Sequence, residues 1–457
     1  MTPNILLIMT DQQRADAMGC AGGWVRTPHM DRLAAEGVRF TNCVTTSPVC
    51  VPARRSMATG LYCHHTHVWA NGRHTLDPAT PTWMAAIRDA GYRTSLFGKT
   101  HLHPHRGDLR DRVELMHRYG LADVDETPGP RAAAVVRCNM TEQWEQRGVW
   151  QAYRDDYEQR FVNKPHVVRP SPLPLDAYYD CYVGARAADY LRAYDRDEPW
   201  FCWVSFGGPH EPWDTPEPYA SLYDPSAMPL PRAAPRSAAG RPRGVLDDRL
   251  GNAPPLTPDE IAAMRADYAG SVTLIDEQVG RLLSVIEARG ELANTVIAFT
   301  SDHGEMNGDA GLIYKEVFLD GAVRVPMMVR TPATVRSNVA GSVASTFVEW
   351  FDIGPTLVDL AGAALTHAQC ARSLCPTLED PALVHRDDAI SEYAGEVMLL
   401  TDRCEAALNR EGELYLLFDR EADANEQVNL AGDSRMRDVA TSLRLRILER
   451  IMASHLA

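Results

Sequence analysis

The sequence predicts an α/β fold with a large, mostly parallel (mixed) sheet flanked by helices, and a smaller C-terminal α+β subdomain. Short apolar runs of strand length alternate with amphipathic helical stretches along most of the chain, an order typical of parallel sheets. The chain of 457 residues is longer than the length at which a single hydrophobic core usually stops growing, which favours a large domain with a smaller one beside it. The composition, with 45% hydrophobic and 23% charged residues, excludes a collagen, a disordered tail and a disulfide-stapled mini-protein.

The predicted elements follow in a regular order. The apolar run at residues 4–9 predicts a strand buried on both faces, and residues 28–37 predict a helix with Pro in its first turn and Gly at its end. Three helix-then-strand pairs follow: 81–90 with 93–97, 177–194 with 200–206, and 258–289 with 295–300.

Two domains of unequal size are predicted, over residues 1–364 and 365–457. In the smaller one, the apolar pieces 397–400 and 414–418 predict short antiparallel strands, and 435–453 predicts a final helix. A stretch rich in Pro, Arg, Ala and Gly interrupts the larger one at about 211–258, and this composition cannot hold a helix or a central strand. We interpret it as a surface excursion that could serve as a lid.

The net charge and the cysteines indicate which binding partners and which cellular compartment are expected. The net charge of −15, without long runs of one sign, argues against a nucleic-acid-binding surface. The first apolar run lacks the flanks of a signal peptide, and no run of about 18 apolar residues occurs. The ten cysteines show no C-x-x-C pair, which is typical of reduced thiols. We therefore expect a cytoplasmic protein without nucleic-acid or membrane partners, and leave a homo-oligomer open.

Polar residues directly follow four of the predicted strands. They are Asp11 with Gln12, Lys99 with His101, His210 with Glu211, and Asp302 with His303. Because ligand sites of open parallel sheets form beyond the carboxyl ends of the strands, we expect these side chains to meet. Asp11, Asp302 and His303 offer oxygen and nitrogen ligands suited to a divalent cation such as Ca²⁺, Mg²⁺ or Mn²⁺. On spacing alone, it stays open that Asp302 caps a turn and His303 packs nearby.

Cys50 has a sequence context that favours a reactive side chain. Pro52 can occupy the first position of a helix, which would place Cys50 just before it. The cysteine would then face the positive end of the helix dipole, where a thiolate is stabilised. A buried structural cysteine is the alternative.

Cys50, Pro52 and Arg54, followed by Thr59 and Gly60, resemble the signature of the type I sulfatases, members of the alkaline phosphatase superfamily. Further segments resemble this family in the same order along the chain: NILLIMTDQ (4–12), TPHMDRLAAEGVRF (27–40), GYRTSLFGKTHL (91–102), GPHEPWD (208–214), TSDHGE (300–305) and GELYLLFDREADANEQVNLA (412–431). The resemblance spans most of the chain.

The resemblance implies a sulfuric ester hydrolase that cleaves a small-molecule sulfate monoester. In that family, a formylglycine-generating enzyme oxidises the signature cysteine, here Cys50, to formylglycine. One hydroxyl of the hydrated aldehyde attacks sulfur and forms a covalent sulfate ester while the alcohol leaves. The second hydroxyl then expels sulfate and regenerates the aldehyde.

The resemblance also implies a metal site made of Asp11, Gln12, the modified Cys50, Asp302 and His303. Many sulfatases carry Asp-Asp and Asp-Asn where this chain has Asp11-Gln12 and Asp302-His303. This variant resembles the branch that holds choline sulfatases and phosphonate monoester hydrolases. Ca²⁺ is our preferred ion, and the imidazole ligand admits Mn²⁺ or Mg²⁺.

The other implied roles concern the substrate and its protons. Arg54 would steady the aldehyde hydrate, and Lys99 and Lys315 would hold sulfate oxygens. His101 would be the base that takes the proton from the second hydroxyl. His210 would bind the sulfate ester and help to protonate the leaving oxygen.

Several polar residues have weaker signals. Asn71 resembles a substrate-pocket position of some relatives, whereas Arg54, Lys99 and Lys315 could each be a surface cation. Histidines at alternate positions are more often solvated or supporting groups than ligands, so we leave out of the predicted metal site His64, His65, His67, His103 and His105.

Two other functions stay open at this point. One is hydrolysis of phosphonate monoesters or phosphodiesters on the same scaffold, and the other is a silent binding protein in which Cys50 stays a thiol. Lys99 and His101 keep the sulfatase pattern, so we rank the sulfate monoester first. The alcohol cannot be named, because loops such as 108–174 and 211–258 determine it.

Overall fold

A computed structural model describes residues 2–162, 166–237, 250–251 and 255–455. Its main feature is a sheet of eight strands, which confirms the predicted α/β class. The strands of the chain are β1 Asn4–Thr10, β2 Val38–Val44, β3 Arg93–Gly98, β4 Asp123–Glu126, β5 Trp200–Ser205, β6 Arg236–Ser237, β7 Thr295–Ser301, β8 Met327–Arg330, β9 Ser342–Glu349, β10 Ala389–Tyr393, β11 Glu396–Leu400, β12 Cys404–Leu408, β13 Leu414–Asp419 and β14 Val428–Asn429.

The large sheet has the strand order β4-β3-β5-β1-β7-β8-β2-β9. All neighbouring pairs run parallel except β8, which is antiparallel to both β7 and β2. The sheet is therefore mixed, as expected. The sequence analysis does not predict β2, β4, β8 and β9, whose apolar patterns are short.

Helices cover both faces of this sheet, and the last helix packs on the C-terminal part of the chain. They are α1 Pro28–Glu36, α2 Cys50–Thr59, α3 Cys63–Thr66, α4 Trp83–Asp89, α5 Val113–Arg118, α6 Asn139–Gln146, α7 Trp150–Arg160, α8 Tyr179–Ala193, α9 Pro258–Ala288, α10 Asp320–Val323, α11 Pro332–Arg336, α12 Ile353–Leu360, α13 Cys375–Glu379 and α14 Arg437–Ala453. The predicted helices are confirmed, with ends shifted by up to two residues. Among these helices of the described chain, none combines the length and apolar character needed to cross a bilayer.

The central strand β1 shows why the sheet is buried on both faces. Leu6 and Ile8 point into the core formed with α8 and α9, whereas Ile5, Leu7 and Met9 point into the core formed with α2, α4 and α12. All five side chains are fully buried, as the two-residue period of a strand between two helical layers requires.

The C-terminal part forms a separate four-stranded antiparallel sheet, β10 to β13. One face packs on α14 through Leu443 and Ile447, and the other packs on the large domain through residues such as Phe347. The predicted short strands and final helix are thus confirmed, while the domain boundary at 364/365 stays a prediction.

The Pro-rich excursion is described only in part. Its first portion ends in β6, which pairs in parallel with β14 of the C-terminal part. The backbone N–H of Arg232 in this portion donates to the carboxylate of Asp309 at 2.8 Å. Residues 238–249 and 252–254 lie outside the described residues, so the lid stays a prediction.

Candidate active site

Sheet register brings the first two carboxylates together. Thr10 at the end of β1 lies opposite Ser301 at the end of β7, so the next residues, Asp11 and Asp302, leave neighbouring strands at the same edge. The backbone N–H of Gln12 donates to Oδ1 of Asp302 at 3.1 Å, which holds the two strand ends together. Both carboxylates are completely buried.

Cys50 lies beside these carboxylates. Cys50 is the first residue of α2, so Pro52 occupies the third helical position. The prediction that Pro52 occupies the first position is wrong. Cys50 still lies at the positive end of the helix dipole, because no N–H in the first turn has an intrahelical acceptor. Sγ of Cys50 lies 3.1 Å from Nε2 of His303 and 3.8 Å from Oδ1 of Asp11.

Four buried side chains thus converge on one point. The ligand atoms of Asp11, Cys50, Asp302 and His303 all lie within 4.8 Å of one another. Nδ1 of His303 lies 3.0 Å from the carbonyl oxygen of Gly304, so this nitrogen donates its proton there and Nε2 points at the cluster.

Arg54 balances the charge of this cluster from the next turn of α2. Its Nε donates to Asp302 at 2.7 Å, and a terminal nitrogen donates to Asp11 at 3.2 Å. The other terminal nitrogen donates to the carbonyl oxygen of Lys99 at 2.7 Å and to the Ser205 hydroxyl at 3.0 Å. The guanidinium is completely buried, so Arg54 is not a surface cation. Its planar fork of N–H donors matches these several acceptors.

Lys99 reaches the cluster from the end of β3. Gly98 pairs with Ser205 of β5, and the N–H of Lys99 then donates to the carbonyl oxygen of Ser205 at 3.0 Å. The Lys99 ammonium forms an ion pair with the carboxylate of Asp11. Burial would raise the pKa of Asp11, but Lys99, His210 and Arg54 hold this pKa well below its ordinary value.

The same cations act on Cys50. Burial and the Asp11 carboxylate would raise the pKa of its thiol, but Lys99, Lys315 and His303 hold it well below the ordinary value. Conversely, burial would lower the pKa of His303, whereas Asp302 and Cys50 raise it to about 9. The cations thus favour the ionised form of Cys50, and the carboxylate of Asp302 favours the protonated form of His303.

His101 lies on the wall of the cavity above the cluster. Its backbone has a φ of 58°, which turns the loop after Lys99, and its ring centroid lies 4.5 Å from that of His105. Burial, together with Lys99 and His105, holds the pKa of His101 well below its ordinary value. Nδ1 of His101 is buried and has no hydrogen-bond partner within the described chain, so a neutral imidazole with a free nitrogen is available.

Lys315 and His210 form a second group of polar side chains. Nζ of Lys315 lies 2.8 Å from Nε2 of His210 and also donates to the amide oxygen of Gln12. Nδ1 of His210 lies 2.7 Å from the carbonyl oxygen of Glu211. Both predicted residues therefore reach the site, although they are 105 residues apart.

The Gln12 side chain is committed to this second group. Its amide nitrogen donates to Glu211 at 2.9 Å and also to Glu305, while its amide oxygen accepts from Lys315. The predicted role of Gln12 as a metal ligand stays a prediction. Asn71 accepts the N–H of Val51 at 2.9 Å and so caps the first turn of α2, at the rim of the same cavity.

Sequence reasoning missed two residues of the cavity wall, Arg131 and Tyr314. Arg131 pairs with Glu211, and its guanidinium lies 5.0 Å from the centroid of the Tyr314 ring. Neither residue belongs to a motif, and only their positions, in the loop after β4 and beside Lys315, could have marked them. Burial would raise the pKa of Glu211, but His210, Lys315 and Arg131 lower it to about 2.

These residues enclose a cavity of about 650 Å³ with Cys50 at its base. Its other lining residues include Asn71, Lys99, His101, Arg131, His210, Tyr314 and Lys315. A cavity of this size accommodates a small molecule, and the cations suit a tetrahedral oxyanion.

The donor set also fits a divalent cation. Two ionised carboxylates, an imidazole nitrogen and the Cys50 side chain converge, and oxygen-rich sets with one imidazole suit Ca²⁺, Mg²⁺ or Mn²⁺. Fold and site therefore define an α/β protein with a buried candidate cation site at the carboxyl edge of its sheet, which fits the resemblance to the alkaline phosphatase superfamily.

Comparison with known proteins names the family. The Sulfatase family model matches residues 3–363. The chain is 28% identical to the arylsulfatase of Clostridium perfringens, over 97% of this chain and 93% of that protein. It is 30% identical to a multifunctional alkaline phosphatase superfamily protein of Trinickia caryophylli, over 94% and 91%. The crystal structure of the phosphonate monoester hydrolase of Agrobacterium radiobacter superposes with a TM-score of 0.80, at 27% identity, and covers 99% and 96%. The chain belongs to the sulfatase family, as its motifs predicted.

Proposed function

We propose that this protein hydrolyses a small-molecule sulfate monoester to an alcohol and sulfate, with Cys50 converted to formylglycine. The observation that carries the proposal is the position of Cys50. Its side chain lies at the base of the cavity, 3.1 Å from His303, with Lys99, His210 and Lys315 around it. The family membership and the arylsulfatase relative support the sulfate ester as substrate.

A divalent cation is part of this proposal, with Ca²⁺ preferred and Mn²⁺ or Mg²⁺ as alternatives. Asp11, Asp302, His303 and the modified Cys50 would hold it, with Gln12 as a further predicted ligand. When bound, the cation supplies positive charge that neutralises the nucleophile and the transferring group. Arg54 keeps both carboxylates ionised and aimed at the cation through its bonds of 2.7 and 3.2 Å.

The side chains of the chain itself bind the ester and move its protons. Lys99 and Lys315 neutralise the sulfate oxygens, since ammonium groups in a cavity stabilise charge that builds in the transition state. Nδ1 of His210 donates to the carbonyl oxygen of Glu211 and Nε2 accepts from Nζ of Lys315, so His210 helps to protonate the leaving oxygen from Nε2 once the ring also carries a proton there. His101 lines the cavity and stays neutral because its pKa is lowered by burial and by Lys99, so its ring accepts a proton from the hydrate.

A second candidate function is hydrolysis of phosphonate monoesters or phosphodiesters. The phosphonate monoester hydrolase structure, with its TM-score of 0.80, favours it, as does the Asp302-His303 pair. Lys99 and His101 keep the sulfatase pattern, and for this reason we rank the sulfate ester first. Rates on 4-nitrophenyl sulfate, phenyl phosphonate monoesters and aryl phosphodiesters decide the order, and a large preference for a phosphorus ester would reverse it.

Mass spectrometry of the Cys50 peptide tests the nucleophile. Replacement of the thiol by an aldehyde lowers the mass of this peptide by about 18 Da. We expect this shift in active protein, and loss of activity in Cys50→Ala and Cys50→Ser. Cys63→Ala is the matched control, because Cys63 is an equally buried cysteine whose pKa is raised by burial. An unshifted peptide in inactive protein would favour a silent binding protein.

The proposal extends to maturation and compartment. Conversion of Cys50 requires a formylglycine-generating enzyme as a partner. All ten cysteines are unpaired within the described residues, which supports a reducing compartment such as the cytoplasm. A homo-oligomer stays an open prediction.

A further inference from the structure

A second group of buried metal-binding side chains lies beside the active site. His103 and His105 follow β3, and Glu126 is the last residue of β4. Strands β3 and β4 are parallel, and Gly98 lies opposite Glu126, so this group forms at the same edge of the sheet as the catalytic residues. None of its three members belongs to the catalytic set.

The three side chains are in contact and shielded from solvent. Nε2 of His103 lies 2.7 Å from Oε2 of Glu126, and Nε2 of His105 lies 3.2 Å from Oε1 of the same carboxylate. The exposed fractions of the side chains are 1% for His103, 3% for His105 and 2% for Glu126. The three ligand atoms all lie within 4.8 Å of one another.

Hydrogen bonds on the far side of His103 set the roles of its nitrogens. Nδ1 of His103 lies 3.2 Å from the carbonyl oxygen of Pro104, which cannot donate, so Nδ1 carries a proton. If the ring of His103 is neutral, its Nε2 carries no proton. This nitrogen then faces a carboxylate oxygen, and both atoms are hydrogen-bond acceptors. Metal-bound histidines commonly donate their other ring N–H to a backbone carbonyl in this way.

His105 faces the same carboxylate. Its Nε2 lies 3.4 Å from the backbone nitrogen of His101, at the long limit of a hydrogen bond, and its Nδ1 is buried with no hydrogen-bond partner among the described residues. Nε2 also faces Oε1 of Glu126. The buried carboxylate of Glu126 also accepts from the Thr100 hydroxyl, and the acceptor Nε2 of a neutral His103 needs a cation between it and this carboxylate, either a proton or a metal ion.

We propose that His103, His105 and Glu126 bind a borderline first-row divalent cation, with Zn²⁺ as the best match. Two imidazole nitrogens and one carboxylate form a known zinc donor set, with a fourth position left for a water. Ligand atoms around a tetrahedral zinc ion lie about 3.3 Å apart, given zinc–nitrogen bonds of about 2.0–2.1 Å. The separations of 2.7 Å for His103 and 3.2 Å for His105 end on different oxygens of Glu126, so the carboxylate would have to turn one oxygen towards both imidazoles to complete this set.

Such an ion would hold the loop that carries the catalytic base. His101 lies between Lys99 and the two histidines in sequence, and its ring packs 4.5 Å from that of His105. A cation bound to both histidines and to β4 would tie this loop to the sheet. The proposed role is therefore positioning, and it does not depend on which ester the enzyme cleaves.

Metal stoichiometry tests the proposal. The protein is stripped with a chelator, dialysed against Zn²⁺ and analysed for zinc per chain. We expect two equivalents in the wild type, one at the catalytic cluster and one at the new site, and one fewer equivalent in His103→Gln and in Glu126→Gln. His117→Gln is the matched control, because the partly exposed His117 lies 3.8 Å from the exposed Glu114 and forms an ordinary surface His–Glu pair.

Each outcome separates the proposal from its competitors. A wild type that binds a single equivalent, retained in His103→Gln and Glu126→Gln, would overturn it and would mean that a protonated His103 pairs with Glu126, whereas a single equivalent lost in both variants would place it at the proposed site. Unchanged stoichiometry in folded His103→Gln would overturn it as well. An equal loss in His117→Gln would mean adventitious surface binding. Far-UV circular dichroism checks that the variants are folded.

Discussion

Replacement of Arg54 by Ala provides a quantitative test of how the active site is held together. This guanidinium is fully buried and contacts both Asp11 and Asp302, at 3.2 and 2.7 Å. Lys99 still neutralises Asp11 in the variant, so Asp302 is the carboxylate that loses its main partner. Removal of one member of a buried ion pair costs about 3–5 kcal/mol, and we expect this loss in the free energy of unfolding of the metal-free protein.

A bound cation should relieve much of that loss. In Arg54→Ala the cation would neutralise the carboxylate of Asp302 in place of the guanidinium. The cation would also no longer be repelled by that guanidinium. Saturating Ca²⁺ or Mn²⁺ should therefore stabilise Arg54→Ala more than it stabilises the wild type. Urea unfolding, followed by circular dichroism with chelator and then with metal, measures both effects.

Arg55 offers a matched control on the same helix. Its side chain is only partly buried and donates to the carbonyl oxygen of Thr75, away from the cluster. Arg55→Ala should change the free energy of unfolding by less than about 1 kcal/mol, with or without metal. Equal losses in the two variants, or no difference between chelator and metal in Arg54→Ala, would refute the charge argument.

Three further predictions concern catalysis, backbone geometry and pH. His101→Ala should lower kcat for a sulfate ester about 10²- to 10⁴-fold with little change in KM, because it removes a general base; a loss below tenfold in steady-state assays would contradict this role. Gly98→Ala should lower the free energy of unfolding by more than about 1–3 kcal/mol, because Gly98 has a φ of 111° and an added Cβ would lie 1.8 Å from the Ser205 carbonyl oxygen. In Gly107→Ala, where φ is 69° but the space is open, the loss should be smaller, and similar melting temperatures would count against the steric argument. Burial raises the pKa of Asp267 from its ordinary 3.8 to about 8, so its stabilising contribution is complete below pH 3.8 and is lost as the pH rises towards 8. Asp267→Asn should therefore gain stability over the wild type between pH 5 and 8, by up to about 1.4 kcal/mol per pH unit in urea unfolding, and parallel pH profiles would show that this carboxyl is ionised in the folded state.

Local patterns in the sequence determined the fold class and the main catalytic set. The apolar run of β1, the proline that begins α1 and the polar residues after each strand are short-range features that do not depend on distant partners. Parallel strands end at a common edge, so Asp11, Lys99, His210 and Asp302 could be expected to meet once the strands were recognised. The cysteine signature then added Cys50 and Arg54.

Only the tertiary structure decided which partners the remaining side chains of the site contact. The Gln12 amide spans Glu211, Glu305 and Lys315, with a sequence separation of 303 residues to the lysine. Arg131 and Tyr314 reach the cavity from loops whose paths follow no periodic pattern. The pairing of His103 and His105 with Glu126 depends on the β3–β4 register. Hydrogen bonds between distant loops are set by packing of the whole chain, whereas the strands and helices that carry those loops follow from local periodicity.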